Sequence, residues 1–270
     1  MILYYMKELL IPKRIHFTWF SGDEYPEKIQ ECMNSWKKVL PDYELKLWNI
    51  DMARALNIPY VNEALDSKKW AFASDVVRAF AVWSEGGIYM DTDIQVLKKF
   101  DCLLDYSLTF FMEINDAEFK KNKQQNILDT NGYCIYPNQY IRGRQIQAAM
   151  FMGEKGNPIL KEIIDFYKTK HFLDADGNPC IDVISPFIYA KIIEKHGFRY
   201  TDEEQFFSNL RVLRSEYVAA SIYECTNQSI AIHLAAHSWN KRNVWKEIKY
   251  KIRTGPFYKL IVPFRKKFLS

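Results

Sequence analysis

Asp91-Thr92-Asp93 closes an apolar run, Gly86-Gly87-Ile88-Tyr89-Met90, a few residues behind a segment that carries Ser74, Asp75 and Arg78. Two carboxylates one residue apart at the end of a strand can point the same way and grip one divalent cation. A cation held by two carboxylates keeps free coordination positions, and a diphosphate is the natural group to fill them. At the C-terminal edge of a strand the pair would also face the crevice where open α/β sheets bind ligands. The spacing alone is not diagnostic. Asp174-Ala175-Asp176 repeats it, but Gly177-Asn178-Pro179 follows and marks a solvated turn.

Three further groups could serve the same chemistry. Asp75 and Arg78, three apart on one helix face, present an acceptor and a cation together. Their neighbours, from Ala71 to Val82, are overwhelmingly apolar, so the pair is expected to be partly buried or to line a pocket. His233, His237, Ser238 and Trp239 cluster late in the chain, where an imidazole or a hydroxyl could complete a carboxylate-held cation. Trp19 ends the first apolar segment and is either a core aromatic or a platform for a base ring, where stacking contributes roughly 1–3 kcal/mol.

The elements that must position these groups follow from periodicity and punctuation. Residues 15–20 predict a strand, 29–39 a helix stopped by Pro41-Asp42, and 43–48 a second strand, which together suggest a βαβ unit with a parallel pair. Residues 70–85 run 16 positions without Gly or Pro and predict a helix stopped by Gly86. Residues 88–96 predict one buried strand, with strands also at 108–112, 148–152 and 230–234. Helices are predicted over 158–169 and 183–196, and the polar stretch 113–131 predicts a loop or inserted flap. The alternation gives an α/β domain with a single Rossmann-like sheet to about residue 240.

Composition bounds the function. The 270 residues are 48% hydrophobic and 16% aromatic, enough for a sizeable core. Five widely spaced cysteines lack metal-ligand spacing and point to reduced thiols in a cytoplasmic protein. The apolar N-terminal stretch 1–10 is short and interrupted by Lys7 and Glu8, far below the ~20 residues of a spanning helix. Neither secretion nor membrane spanning is expected. Ten Lys/Arg face Glu247 alone between 241 and 270, so a net charge of +4 leaves residues 1–240 mildly acidic. Trp245, Ile248 and Ile252 lie at helical spacing in this basic tail, which suits an amphipathic segment on an anionic membrane surface, at the inner face of the plasma membrane. With an acidic body and no recognition module, a nucleic-acid partner is not expected.

The strings Ile11-Pro12-Lys13-Arg14-Ile15-His16-Phe17-Thr18-Trp19-Phe20, Ser35-Trp36-Lys37-Lys38, Leu40-Pro41-Asp42-Tyr43, 70–78 and 86–93 together resemble glycosyltransferases with a DXD sugar-binding region. Specifically the chain resembles glycosyltransferase family 32, the group of capsular-polysaccharide enzymes and yeast mannosyltransferases, and more distantly the glucosyltransferase domain of large clostridial toxins. The resemblance covers roughly 11–239. It implies a GT-A-like α/β fold, Mn²⁺ or Mg²⁺ as cofactor, a UDP- or GDP-sugar donor, a saccharide or lipid-linked oligosaccharide acceptor, and transfer with retention. By position, Asp91 and Asp93 would hold the metal, with His233, His237 or Ser238 as the third ligand, His233 preferred and Ser238 next. Trp19, Trp70, Ser74, Asp75, Arg78, Tyr89, Asp91, Ser238 and Trp239 would bind the donor, and Asp75, Arg78, Asp91 and Asp93 would carry catalysis. The chain departs from the family pattern near the end: Leu234 stands where a second His is common, and His237 replaces a usual Gly. The rival readings are an Asp-x-Asp, Mg²⁺-dependent phosphohydrolase, against which Gln95 two residues past Asp93 counts, and a non-catalytic sugar-binding domain. The implied partition is a catalytic domain over 1–240 and a basic tail over 241–270.

Overall fold

A strand, a helix and a second strand open the chain, as their alternation predicts. In the computed structural model, which describes residues 9–235, β1 (Arg14–Thr18) and β2 (Glu44–Trp48) pair in parallel across α1 (Glu27–Val39). Parallel strands need such a crossover. Helix α1 buries Ile29, Cys32, Met33 and Trp36, one stripe at helical spacing. Two short helices that periodicity did not reveal, α2 (Ile50–Arg54) and α3 (Pro59–Asp66), lead into α4 (Trp70–Glu85), whose bounds are those predicted.

The exit from α4 depends on two glycines. Gly86 has φ of 72° and Gly87 of 123°. A Cβ on Gly86 would lie 2.9 Å from Pro12 Cδ, and one on Gly87 2.6 Å from the carbonyl oxygen of Arg14. Only glycine accepts both the backbone angles and the close approach. The chain then runs into β3 (Gly87–Met90), laid flush and parallel against β1.

Here the structure corrects the sequence. The single strand expected over 88–96 is broken at the acidic triplet. The amide of Ile94 donates to Asp91 O and the amide of Asp91 to Ala149 O, so Asp91-Thr92-Asp93 forms a turn. Beyond it, β4 (Ile94–Val96) leaves the main sheet. The rest of the chain supplies β5 (Leu108–Ile114), α5 (Asp116–Lys121), β6 (Arg144–Ile146), β7 (Met150–Gly153), α6 (Pro158–Lys168) and α7 (Ser185–Ile193). The last strands are β8 (Gln205–Phe206), β9 (Arg211–Leu213), β10 (Val218–Ala219) and β11 (Ala231–His233). Glu113 and Ile114, read as the start of a loop, belong to β5.

The strands assemble as β2-β1-β3-β7-β5-β9-β8, with β6 paired to β5, into a central mixed eight-stranded sheet. A second sheet, β10-β11-β4, adds to the single one expected. Strand β7 runs antiparallel to both β3 and β5. Strands β1, β3 and β5 therefore point the same way, and their C-terminal ends share one edge. Alternation along the strands sends Ile15, Phe17, Ile88 and Met90 to the core beneath α1. The opposite face packs under α3, α4, α6 and α7. Among the described residues no helix is long and apolar enough to cross a membrane. The tail over 241–270 lies outside the described residues.

Candidate active site

Each group at the site is delivered by a different part of this topology. The parallel pairing of β1 and β3 puts Trp19, just after β1, at the same edge as Asp91, just after β3. His233 arrives from 140 positions further on because β11 pairs antiparallel with β4, setting His233 opposite Ile94 while Leu234 N donates to Asp93 O. Asp91, Asp93 and His233 each offer one ligand atom, and these atoms all lie within 4.8 Å of one another. The donor set fits a divalent cation: two hard carboxylate oxygens and one imidazole nitrogen suit Mn²⁺, and Mg²⁺ with added water.

Arg78 is the hub behind the carboxylates. It is 5% exposed, and its Nη2 lies 3.1 Å from Asp75 Oδ1 and 3.5 Å from Asp91 Oδ1. Nη1 donates to Ala148 O at 2.7 Å and Nε to Ser74 O at 3.2 Å, while the guanidinium stands 5.0 Å from the centre of the Tyr89 ring. Such a fixed fork is what distinguishes arginine from lysine at a buried site. Tyr89 donates its hydroxyl to Asp91 Oδ1 at 2.7 Å, and Ser74 and Thr18 surround that hydroxyl at 2.8 and 3.2 Å. Tyr89 is fully buried. It orders the Asp91 carboxylate and does not line the cleft described below.

The electrostatics follow from burial. Desolvation pushes Asp75 up to about 6, against the opposing pull of Arg78 and of Ser185, which donates to Asp75 Oδ1 at 2.7 Å. Burial also raises Asp91, with Arg78 opposing and Asp93 reinforcing. For His233, burial would lower the imidazole, but Asp93, Asp91 and Glu113 outweigh it and push it up to about 9. Gln147 fixes the ring. Its Oε1 accepts the Ala149 amide at 3.1 Å, so its Nε2 faces His233 Nδ1 at 3.3 Å. His233 Nε2 faces Asp93 Oδ1 at 3.5 Å. A cation held there would compete with a proton for the ring.

Beside the triad opens a cleft of about 330 Å³, lined by Trp19, Trp70, Ser74, Arg78, Asp91 and Thr92, with Asp23 and Glu24 at its rim. Trp19 is held in place: its indole N–H donates to Asp23 O at 2.7 Å, and its ring packs on Tyr25 with centroids 4.8 Å apart. Of the expected donor-binding residues, Trp19, Trp70, Ser74, Arg78 and Asp91 line this cleft, whereas Asp75 and Tyr89 lie behind it. His237, Ser238 and Trp239 lie outside the described residues. Sequence reasoning missed Thr18 and Ser185, polar residues that sit singly in elements otherwise read as core, and the contact of Gln147 with His233. The second Asp-x-Asp is a turn as expected, with Asp174 Oδ1 accepting the amides of Asp176 and Asn178.

Residues 26–110 match the family described as glycosyltransferase sugar-binding region containing DXD motif. Over that stretch the chain is similar to the DXD region of glycosyltransferases. Over 108 residues it is 36% identical to inositol phosphoceramide mannosyltransferase 3 of Schizosaccharomyces pombe, a stretch covering 38% of this chain and 30% of that protein. It is 31% identical over 104 residues to mannosyl phosphorylinositol ceramide synthase SUR1 of Saccharomyces cerevisiae, covering 37% of this chain and 27% of that protein. The matched segment thus spans less than a third of these relatives. Among solved structures the chain is similar to the PaToxG glycosyltransferase, with a TM-score of 0.46 and 17% identity over 68% of this chain and 69% of that one. The resemblance to DXD glycosyltransferases of the family 32 type is borne out by the sequence matches.

Proposed function

We propose that the chain is a metal-dependent glycosyltransferase that moves a sugar from a nucleotide-sugar donor to a saccharide acceptor with retention at the anomeric carbon. The observation that carries this reading is the convergence of Asp91, Asp93 and His233, with Asp91 also lining a cleft that Trp19 and Trp70 share. Trp19, clamped by Asp23 and Tyr25, offers a flat face to the base. Asp91 and Asp93 would hold Mn²⁺ or Mg²⁺, with a deprotonated His233 nitrogen as the third ligand. When bound, the cation acts as a Lewis acid that neutralises charge on the departing diphosphate. Arg78 sets a preorganised positive charge beside the same phosphates, where it needs no reorganisation during the reaction. The acceptor hydroxyl attacks from the face the diphosphate leaves. Its oxygen bonds to the anomeric carbon, the bond to phosphate breaks, and the hydroxyl proton passes to the departing phosphate.

The names of the relatives, mannosyltransferases acting on inositol phosphoceramide, make mannose the first donor sugar to try and support a lipid-borne acceptor. A lipid-linked oligosaccharide in surface or capsular polysaccharide synthesis fits a cytoplasmic enzyme peripheral to the membrane through its basic tail. Flotation with anionic vesicles, full-length protein against a chain ending near residue 240, tests the tail: equal binding ends that part of the reading.

A screen of UDP- and GDP-sugars for Mn²⁺-dependent hydrolysis tests the activity. Asp93→Ala should stay folded and lose turnover. Metal-dependent turnover retained in that variant removes the metal assignment, and hydrolysis of simple phosphate esters in place of nucleotide-sugars would favour a phosphohydrolase.

A further inference from the structure

Strand order places one carboxylate on the far side of the triad from the nucleotide cleft. Across the sheet, β1 ends at Trp19, β3 at Asp91, and β5, running parallel to both beyond β7, ends just past Glu113. Glu113 therefore stands at the same edge as the triad but two strands further on. It does not line the cleft that Trp19, Trp70 and Arg78 enclose.

The side chain's direction follows from register. Glu113 lies opposite Gln145, and Gln147 N donates to Phe111 O at 2.8 Å, so Glu113, Gln145 and Gln147 share one face of the β5–β6 ladder. Gln147 on that face reaches His233. Met112 and Ile146 on the other face are fully buried. Gln145 is anchored by accepting the Gly143 amide at 2.8 Å, and its side chain favours the ionised form of Glu113 that burial opposes. Glu113 is only half-buried, with Gln145 and Gln147 buried beneath it. The result is a carboxylate held on a strand, in a residue neither fully buried nor fully exposed, whose charge acts on His233.

We propose that Glu113 binds the acceptor sugar, its carboxylate accepting a hydrogen bond from a hydroxyl of the incoming saccharide and presenting that sugar to the anomeric carbon. A carboxylate is an acceptor-only group, suited to sugar hydroxyls, which donate. A half-buried carboxylate supported by one amide keeps lone pairs for such a ligand. The inference rests on the glycosyltransferase reading but adds to it the residue that separates transfer from hydrolysis. Water needs no positioning by Glu113, whereas a saccharide does.

The experiment compares wild type with Glu113→Gln, using the donor found by the nucleotide-sugar screen. Methyl glycosides of mannose, glucose, galactose and N-acetylglucosamine at 100 mM on the order of saturating weak acceptor sites serve as probes. Expected at saturating Mn²⁺ are donor hydrolysis within about twofold of wild type and transfer reduced at least about tenfold, mainly through acceptor KM. Glu113→Asp, which keeps the charge but shortens the reach, should fall between the two. A parallel fall of hydrolysis and transfer overturns the inference, and so does a variant indistinguishable from wild type on every probe, including one where neither transfers. Absence of metal-dependent donor hydrolysis in wild type sinks the glycosyltransferase reading itself.

Discussion

Asp75 offers a test in which stability and activity should move in opposite directions. Its carboxyl is 6% exposed and stands at about 6, against a usual 3.8. A gap of about two units corresponds to roughly 3 kcal/mol against the ionised form, at about 1.4 kcal/mol per unit. Since the folded value lies above the unfolded one, the stability linked to this group is fully present below pH 4. It is lost as pH rises through 6. Asp75→Asn removes the charge while leaving an oxygen for Ser185 and Arg78 to address, and Arg78 keeps Asp91, Ser74 and Ala148. At pH 8 the variant should melt roughly 6–12 °C above wild type, at ~2–4 °C per kcal/mol for a chain of this class. The two curves should converge towards pH 4. Turnover should fall, because Arg78 loses one of the two carboxylates that aim it. Thermal melts from pH 4 to 8 followed by calorimetry provide the readout. Parallel curves, or a wild type more stable than the variant at pH 8, would refute the claim that burial outweighs the Arg78 pair.

Other outcomes follow from the same geometry. Tyr89→Phe removes the hydroxyl that donates to Asp91 at 2.7 Å; a hydrogen bond to a charged group contributes roughly 1.5–3 kcal/mol, so Mn²⁺ should bind about tenfold or more weakly by titration. Unchanged affinity would show that Asp91 needs no buttress. Because the cation would compete with a proton for His233, pushed up to about 9, Mn²⁺ affinity should rise with pH from 6 towards 9, up to roughly tenfold per unit; a flat profile by electron paramagnetic resonance contradicts that assignment. Trp19→Ala should weaken nucleoside diphosphate binding by roughly 1–3 kcal/mol in calorimetry while leaving Mn²⁺ affinity intact, and equal nucleotide affinity would return Trp19 to the core. Cys32, buried with its thiol pushed up to about 12, should resist thiol reagents that modify exposed Cys102 and Cys180; rapid labelling of Cys32 in the native state would contradict its burial.

Local chemistry alone determined much of this molecule. The bounds of α4 were legible because 16 residues carry a helical pattern and Gly86 must end it. The parallel β1–β2 pair followed from strand, helix and strand in succession, and the acidic triplet stood out because carboxylates rarely end an apolar run. What periodicity could not supply was direction. The run from 88 to 96 looks like one strand because both halves are apolar, and only the pairing of β3 with β7 and of β4 with β11 breaks it at Asp91. That break points Asp93 at His233. Likewise no local pattern singles out Gln147, Ser185 or Glu113 within its own segment, and their partners lie 86, 110 and some 120 positions away. Short-range sterics and hydrophobic patterning fix what each segment becomes, whereas contacts between segments far apart in the chain decide which polar atoms meet, and the chemistry belongs to that meeting.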